Sequence, residues 1–281
     1  MVCRAELLSL LFLGLSRVKG HNSMVLKFPI AASPSSYDTM FAAFPNTPWV
    51  YIYRRPEEVL ASMFRIAGNN PRLRAKKRPV TPPCTRTHKS GSPPAVVDML
   101  AQYGMQPRSS DSVAYCAAYL AMLCDAAQQS DAVAEVKGGA APAGGEHSLP
   151  PRPKAWFINY VSIPRAVLPV SRQLFHLNLS PADEGRVREE GEVYSKSRGR
   201  TVGNRQEFAA DAEAKRTAAP ESYHTYSAYF LYSRYAAMVE RSATQPWVTE
   251  ADATDLAAEL QWVQDSIAKY ASVVENAMVN K

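Results

Sequence analysis

Pro48-Trp49-Val50-Tyr51-Ile52-Tyr53-Arg54-Arg55-Pro56-Glu57-Glu58-Val59-Leu60-Ala61-Ser62 is the stretch on which the fold turns. Trp49 to Tyr53 are apolar, β-branched or aromatic, a run that predicts a buried strand. Pro56 falls where a helix takes its first turn, since proline has no N–H to lose there and its fixed φ suits the entry. Glu57 and Glu58 follow at the positive end of the helix dipole. The unit therefore reads as a strand running directly into a helix. Arg54 stands at the strand's carboxyl end and Ser62 about two turns along the helix, and that edge of an open α/β sheet is where ligands bind. An arginine and a serine so placed form a cradle for an anion.

Outward from this unit the pattern predicts a helix over 5–17, a strand over 24–28 and a short helix over about 35–43. After the strand at 48–53 and the helix at 55–67 come helices at 94–104 and 109–128, then a strand at 155–160. Short helices are predicted at 163–175 and 181–190, and longer ones at 222–241 and 249–277. Such alternation implies a parallel sheet with helices on its faces. In 109–128, Val113, Cys116, Ala117, Leu120, Leu123 and Cys124 fall on one face at helical spacing. Tyrosines 223, 226, 229, 232 and 235 recur every three residues and mark packing, with the final helix as the simplest partner.

Two segments differ in character. Residues 68–94 carry seven basic side chains from Arg72 to Lys89 and no acidic one, and read as a solvated basic loop in preference to an electropositive lip over an anionic cofactor or acidic acceptor. Residues 130–154 are rich in Ala, Gly and Pro and read as a disordered insertion.

The chain has 281 residues, enough for one α/β domain with appended helices, and its 46% hydrophobic and 10% aromatic content suffices for a core. Its net charge of +6 suits an anionic ligand. Nucleic acid or a membrane surface would suit the charge equally, but no aromatic residues interleave the basic stretch, which argues against nucleic acid. Cys3, Cys84, Cys116 and Cys124 show neither a C-x-x-C pair nor metal-ligand spacing, so free buried thiols are expected, not a disulfide framework or a metal site. The apolar run Leu7–Leu15 is too short to span a bilayer and reads as a core helix in preference to a signal peptide. A cytoplasmic location is slightly favoured, with the sequon Asn178-Leu179-Ser180 as one hint of a secretory route.

Arg54-x-Pro56-x5-Ser62 after an apolar strand resembles the 3′-phosphate-binding segment of sulfotransferases that use 3′-phosphoadenosine 5′-phosphosulfate. Arg55 stands where that family has Asn or Asp. Further segments resemble algal and fungal-type members in the same order. Met24-Val25-Leu26-Lys27-Phe28 is similar to the preceding strand, and Ala43-Phe44-Pro45-Asn46-Thr47-Pro48-Trp49 to the lead-in. Ala155-Trp156-Phe157-Ile158-Asn159-Tyr160 is similar to a strand ending in a tyrosine that contacts adenine, although Val161 and Ser162 replace the acidic residues that follow it. Tyr194-Ser195-Lys196, with Phe208-x2-Asp211-x3-Lys215, resembles a tail block.

The resemblance implies an α/β fold of the P-loop type, a parallel sheet flanked by helices with additional carboxyl-terminal helices. Residues 1–241 would form the sulfotransferase-like domain and 242–281 a helix packed on it. It implies Arg54 and Ser62 on the 3′-phosphate, Tyr160 on the adenine, and Lys196, Arg198 and Arg200 as further phosphate-binding charge. The activity implied is sulfuryl transfer from 3′-phosphoadenosine 5′-phosphosulfate, as co-substrate, to a hydroxyl or amine on a small molecule or glycan, without a metal. Two family features are absent. No Lys/Arg-Ser-Gly-Thr loop precedes Arg54, and Lys89-Ser90-Gly91-Ser92 lies after it, among prolines. No histidine follows Lys27 as a base, since Phe28 and Pro29 stand there. A truncated or catalytically weakened enzyme is therefore expected, with a non-catalytic interaction protein on the same scaffold as the alternative.

Overall fold

The computed structural model describes residues 43, 44, 47–69, 84, 91–136, 155–192, 213–215, 217 and 219–279. The expected helix at 5–17, the strand at 24–28, all but the last residue of the short helix at about 35–43 and most of the basic stretch 68–94 lie outside the described residues. The chain divides into two compact units, one of Met1–Trp49 with Asp125–Ala155, the other of Val50–Cys124 with Trp156–Lys281. The first contributes few described residues: a turn closed by Thr47 N–H on the Phe44 carbonyl at 3.2 Å, and the end of a long helix.

The second unit is mostly helical around a two-stranded parallel sheet. Strand β1 spans Trp49–Tyr53 and pairs with β2, Ala155–Asn159. Helix α1, Pro56–Asn69, begins as its sequence dictates: the Arg55 carbonyl accepts from Glu58 N–H and Val59 N–H, and the acids occupy the first turn. Helix α2 is Pro94–Ala101 and α3 is Ser112–Val136. After β2 come a 3₁₀ turn over Tyr160–Ser162 and helix α4, Ile163–Pro169. Helices α5 (Pro181–Glu192), α6 (Glu221–Phe230), α7 (Tyr232–Ala243) and α8 (Glu250–Val279) follow.

Four elements depart from the sequence reading. First, Val113 to Cys124 of α3 are buried all round, not on one face, because small alanines let neighbours approach from every side. This helix also runs on to Val136, into the stretch read as an insertion. Second, Cys116 is not a free thiol but forms a disulfide with Cys84, with Cα atoms 5.3 Å apart; Cys124 is free and buried. The 32-residue separation has no local signature, since only the fold brings the two together.

Third, the helix expected over 222–241 is broken at Leu231, whose φ of −120° leaves the helical region. Phe230, Leu231 and Tyr232 are all buried, which three consecutive residues on the surface of one straight helix do not achieve. The Arg234 guanidinium closes the break by donating to the Phe230 carbonyl at 2.6 Å. Fourth, the helix expected over 163–175 is α-helical only to Pro169. Proline offers no N–H to the ladder, and Val170–Leu174 continue as a π turn in which Phe175 N–H donates to the Val170 carbonyl at 3.0 Å.

The core on one side of β2 is Trp156, Ile158, Ala166, Val170, Leu174 and Trp247. Phe157, pointing the other way, is fixed through its backbone: its N–H donates to Gln245 Oε1 at 3.0 Å and its carbonyl accepts from Ser242 Oγ at 2.8 Å. One edge of β2 is thus satisfied by side chains from the end of α7, where a sheet would otherwise continue. Helix α8 packs along α7 and starts at a reciprocal cap: Thr249 Oγ1 donates to Asp252 Oδ2 at 2.6 Å, and Asp252 N–H donates back to Thr249 Oγ1 at 3.3 Å. Asp252, fully buried, also pairs with Arg165. Asn178 lies exposed in the irregular link before α5.

Candidate functional site

β1 and β2 are parallel neighbours, so their carboxyl ends lie side by side and deliver Arg54 and Tyr160 to the same place. The Arg54 guanidinium carbon sits 3.9 Å from the centre of the Tyr160 ring, a cation–π stack. The structure thus joins two residues that the sequence separates by about a hundred positions. Ser62 lies on the α1 face that also carries Glu58, each four residues beyond the last, half-buried and about 9 Å along the axis from Pro56. Lys196, Arg198 and Arg200 lie outside the described residues.

Between Arg54 and Ser62 on that face stands a residue whose role the sequence reading passed over. Arg54 Nε donates to Glu58 Oε2 at 3.2 Å and its Nη2 lies 3.1 Å from the same oxygen. Glu58 is only 3% exposed, so the pair is desolvated and strong. An anion approaching Arg54 meets a guanidinium already neutralised by this carboxylate, which it must share or displace. The signal was in the sequence, as an acid four residues after the arginine.

Arg55 faces a different set of groups. Its guanidinium donates to both oxygens of Glu259 on α8, at 2.6 Å each, and lies 3.7 Å from the centre of the Trp262 ring. Tyr235 donates to the same carboxylate, and Asn159 Nδ2 donates to the Tyr235 hydroxyl at 3.3 Å. Tyr53 packs edge-on against Tyr235 at 5.6 Å. Burial raises the pKa of the Arg55-linked phenol of Tyr235 and that of Tyr53 well beyond the physiological range, so both stay neutral. This cluster ties the start of α1 to α7 and α8, and no local pattern in the sequence announces it.

Glu57 completes the junction. It is 0% exposed, and neither carboxyl oxygen meets a hydrogen-bond partner from another residue. Burial pushes its pKa up to about 7; nearby Glu58 and Glu259 add to the rise, while Arg55 opposes it. Beyond it, His224 Nδ1 lies 3.1 Å from the Tyr232 hydroxyl, and Tyr270 donates to Glu221 Oε1 at 2.7 Å. Burial lowers the His224 pKa, so its ring is neutral at physiological pH.

Chemically, the carboxyl edge of the sheet offers a flat cation–aromatic surface, a helix start and a titratable carboxyl. Among the described residues, no group of three or more His, Cys, Asp or Glu side chains is placed to hold a metal ion. No helix among them is long and apolar enough to cross a membrane. No protein-family model, curated protein or solved structure matches this chain.

Proposed function

We propose that this chain is a sulfotransferase-like protein on a P-loop-type α/β scaffold, binding 3′-phosphoadenosine 5′-phosphosulfate or its product at the carboxyl edge of β1 and β2. In this reading Arg54 and Ser62 hold the 3′-phosphate, Tyr160 lies against the adenine, and Lys196 and Arg198 add phosphate-binding charge. The acceptor is a hydroxyl or amine on a small molecule or glycan. The observation that carries the reading is the stack of Arg54 on Tyr160. A phosphate and an aromatic base on one nucleotide call for a cation and a ring at one spot, and sequence resemblance nominated these two residues independently.

Sulfuryl transfer, like phosphoryl transfer, needs positioning and stabilisation of spread negative charge more than covalent help from the protein. The Arg54 region supplies positioning at one end of the nucleotide. Isothermal titration with adenosine 3′,5′-bisphosphate tests it. Wild type should bind and Arg54→Ala should not, and equal binding by both removes the assignment.

A specific observation favours the second reading, a non-catalytic interaction protein on the same scaffold. Glu58 already satisfies Arg54, which a binding site in constant use would not need. Transfer of labelled sulfate to a panel of hydroxyl and amine acceptors separates the two readings, since any turnover excludes the second.

A further inference from the structure

The strand–helix junction holds four consecutive-to-near charged groups, and three of them are paired. Arg54 is paired with Glu58 and Arg55 with Glu259. Glu57, between them in sequence, is fully buried, and neither of its oxygens meets a partner from another residue. A carboxyl in that state is a poor anion, because ionising it leaves a charge without water and with only its own backbone N–H as donor.

Among the described residues, the charged and titratable groups that face it come from four helices. From its own helix start come Arg55, whose guanidinium is committed to Glu259, and Glu58, committed to Arg54. From α8 come Glu259 and the Tyr270 phenol, and from α7 the Tyr232 phenol, which in turn meets His224 of α6. The phenols are raised by burial and stay neutral; His224 is lowered and is neutral as well. Glu57, in the first turn of the helix that begins two residues after Arg54, is thus a group that changes charge near neutral pH.

We propose that Glu57 is a proton gate on anion binding at Arg54. With Glu57 protonated, the positive start of α1 adds to what an incoming anion gains at Arg54 when it shares or displaces Glu58. Once Glu57 is ionised, its charge cancels the helix-start field and repels that anion within one turn. The inference rests on reading Arg54 as an anion-binding residue and adds its regulation. Reciprocity requires that an anion bound at Arg54 make Glu57 harder to ionise, so binding takes up protons near neutral pH.

The test uses the full chain and inorganic sulfate, whose own charge does not change across this range. Calorimetric titration near pH 6 and near pH 8 should show binding about tenfold weaker at the higher pH, the scale of ordinary coupling between sites. Near pH 7, two buffers of different ionisation enthalpy should reveal proton uptake. Glu57→Gln should bind with the acid-form affinity at both pH values and take up no protons, whereas Glu58→Gln should keep the pH dependence. Sulfate binding that Arg54→Ala abolishes but that ignores pH in the wild type would overturn the gate and leave the anion site standing. Retention of the wild-type pH dependence in Glu57→Gln would also overturn it. Absence of sulfate binding, or equal binding by Arg54→Ala, would overturn the underlying site and the gate together.

Discussion

Arg54 and Arg55 are neighbours in sequence, and each has a glutamate and an aromatic ring, yet they sit in two different kinds of region. The Arg54 ion pair is local, its glutamate one helical turn away, although its ring comes from the end of β2 about a hundred positions on. The Arg55 region is long-range: Glu259 is 204 residues distant and Trp262 lies one turn further on α8. A local pair forms whenever α1 forms and can be exchanged for a ligand without unfolding anything. A long-range pair is part of what holds α8 against the start of α1, and losing it loosens the fold. Two identical side chains side by side thus separate into a candidate binding group and a structural clamp.

The largest effect that could break this contrast is Arg55→Ala, which strands Glu259 in a partly buried site. Removing one partner of such a pair typically costs 3–5 kcal/mol, a loss that urea denaturation at neutral pH would read directly (about that amount is expected). The other long-range tie, Cys84–Cys116, should weigh similarly. Closing a 32-residue separation is worth about 3–4 kcal/mol in the chain-entropy account, so Cys84→Ser with Cys116→Ser should lower the denaturation midpoint accordingly.

Glu57 sharpens the contrast through pH. Below about pH 4.5 its carboxyl is protonated in both folded and unfolded chains and contributes nothing. Between about 4.5 and about 7 the unfolded chain releases the proton while the folded one keeps it, so stability falls as pH rises. Above about 7 the penalty is complete, roughly 3 kcal/mol. Glu57→Gln should therefore match wild type in acid and exceed it by about that amount in mild alkali, in denaturation curves at the two pH values. The smallest stability effect is expected when the local pair is removed whole, as Arg54→Ala with Glu58→Gln: about 1–2 kcal/mol, since no buried charge is left unpaired. Should that double variant prove as costly as Arg55→Ala with Glu259→Gln, the distinction between binding group and clamp fails.

What the sequence made legible was local. β1 and α1 follow from an apolar run and Pro56, and α8 from an amphipathic period after Thr249. Arg54 and Tyr160 were nominated from motif resemblance, and the structure brings them together. The rest depends on tertiary contacts that no window of residues contains. The break at Leu231 has no Gly or Pro to mark it and arises from three consecutive side chains finding burial. Glu57 and Glu58 look alike as first-turn acids, and only the fold decides that one is paired and the other stranded. The disulfide and the Glu259 clamp join positions whose separation carries no signature.

The side chains that close the edge of β2 bear on how the chain is made. Gln245 and Ser242 are translated 88 and 85 residues after Phe157. At ordinary elongation rates of about 5–20 residues per second, the strand is synthesised roughly 4–18 seconds before its closing residues exist. For that interval Phe157 presents an unpaired backbone edge, the feature that recruits stray strands and chaperones. The side chains that close this edge therefore come late in synthesis, and a chain cut short before Gln245 lacks the group that satisfies Phe157 N–H.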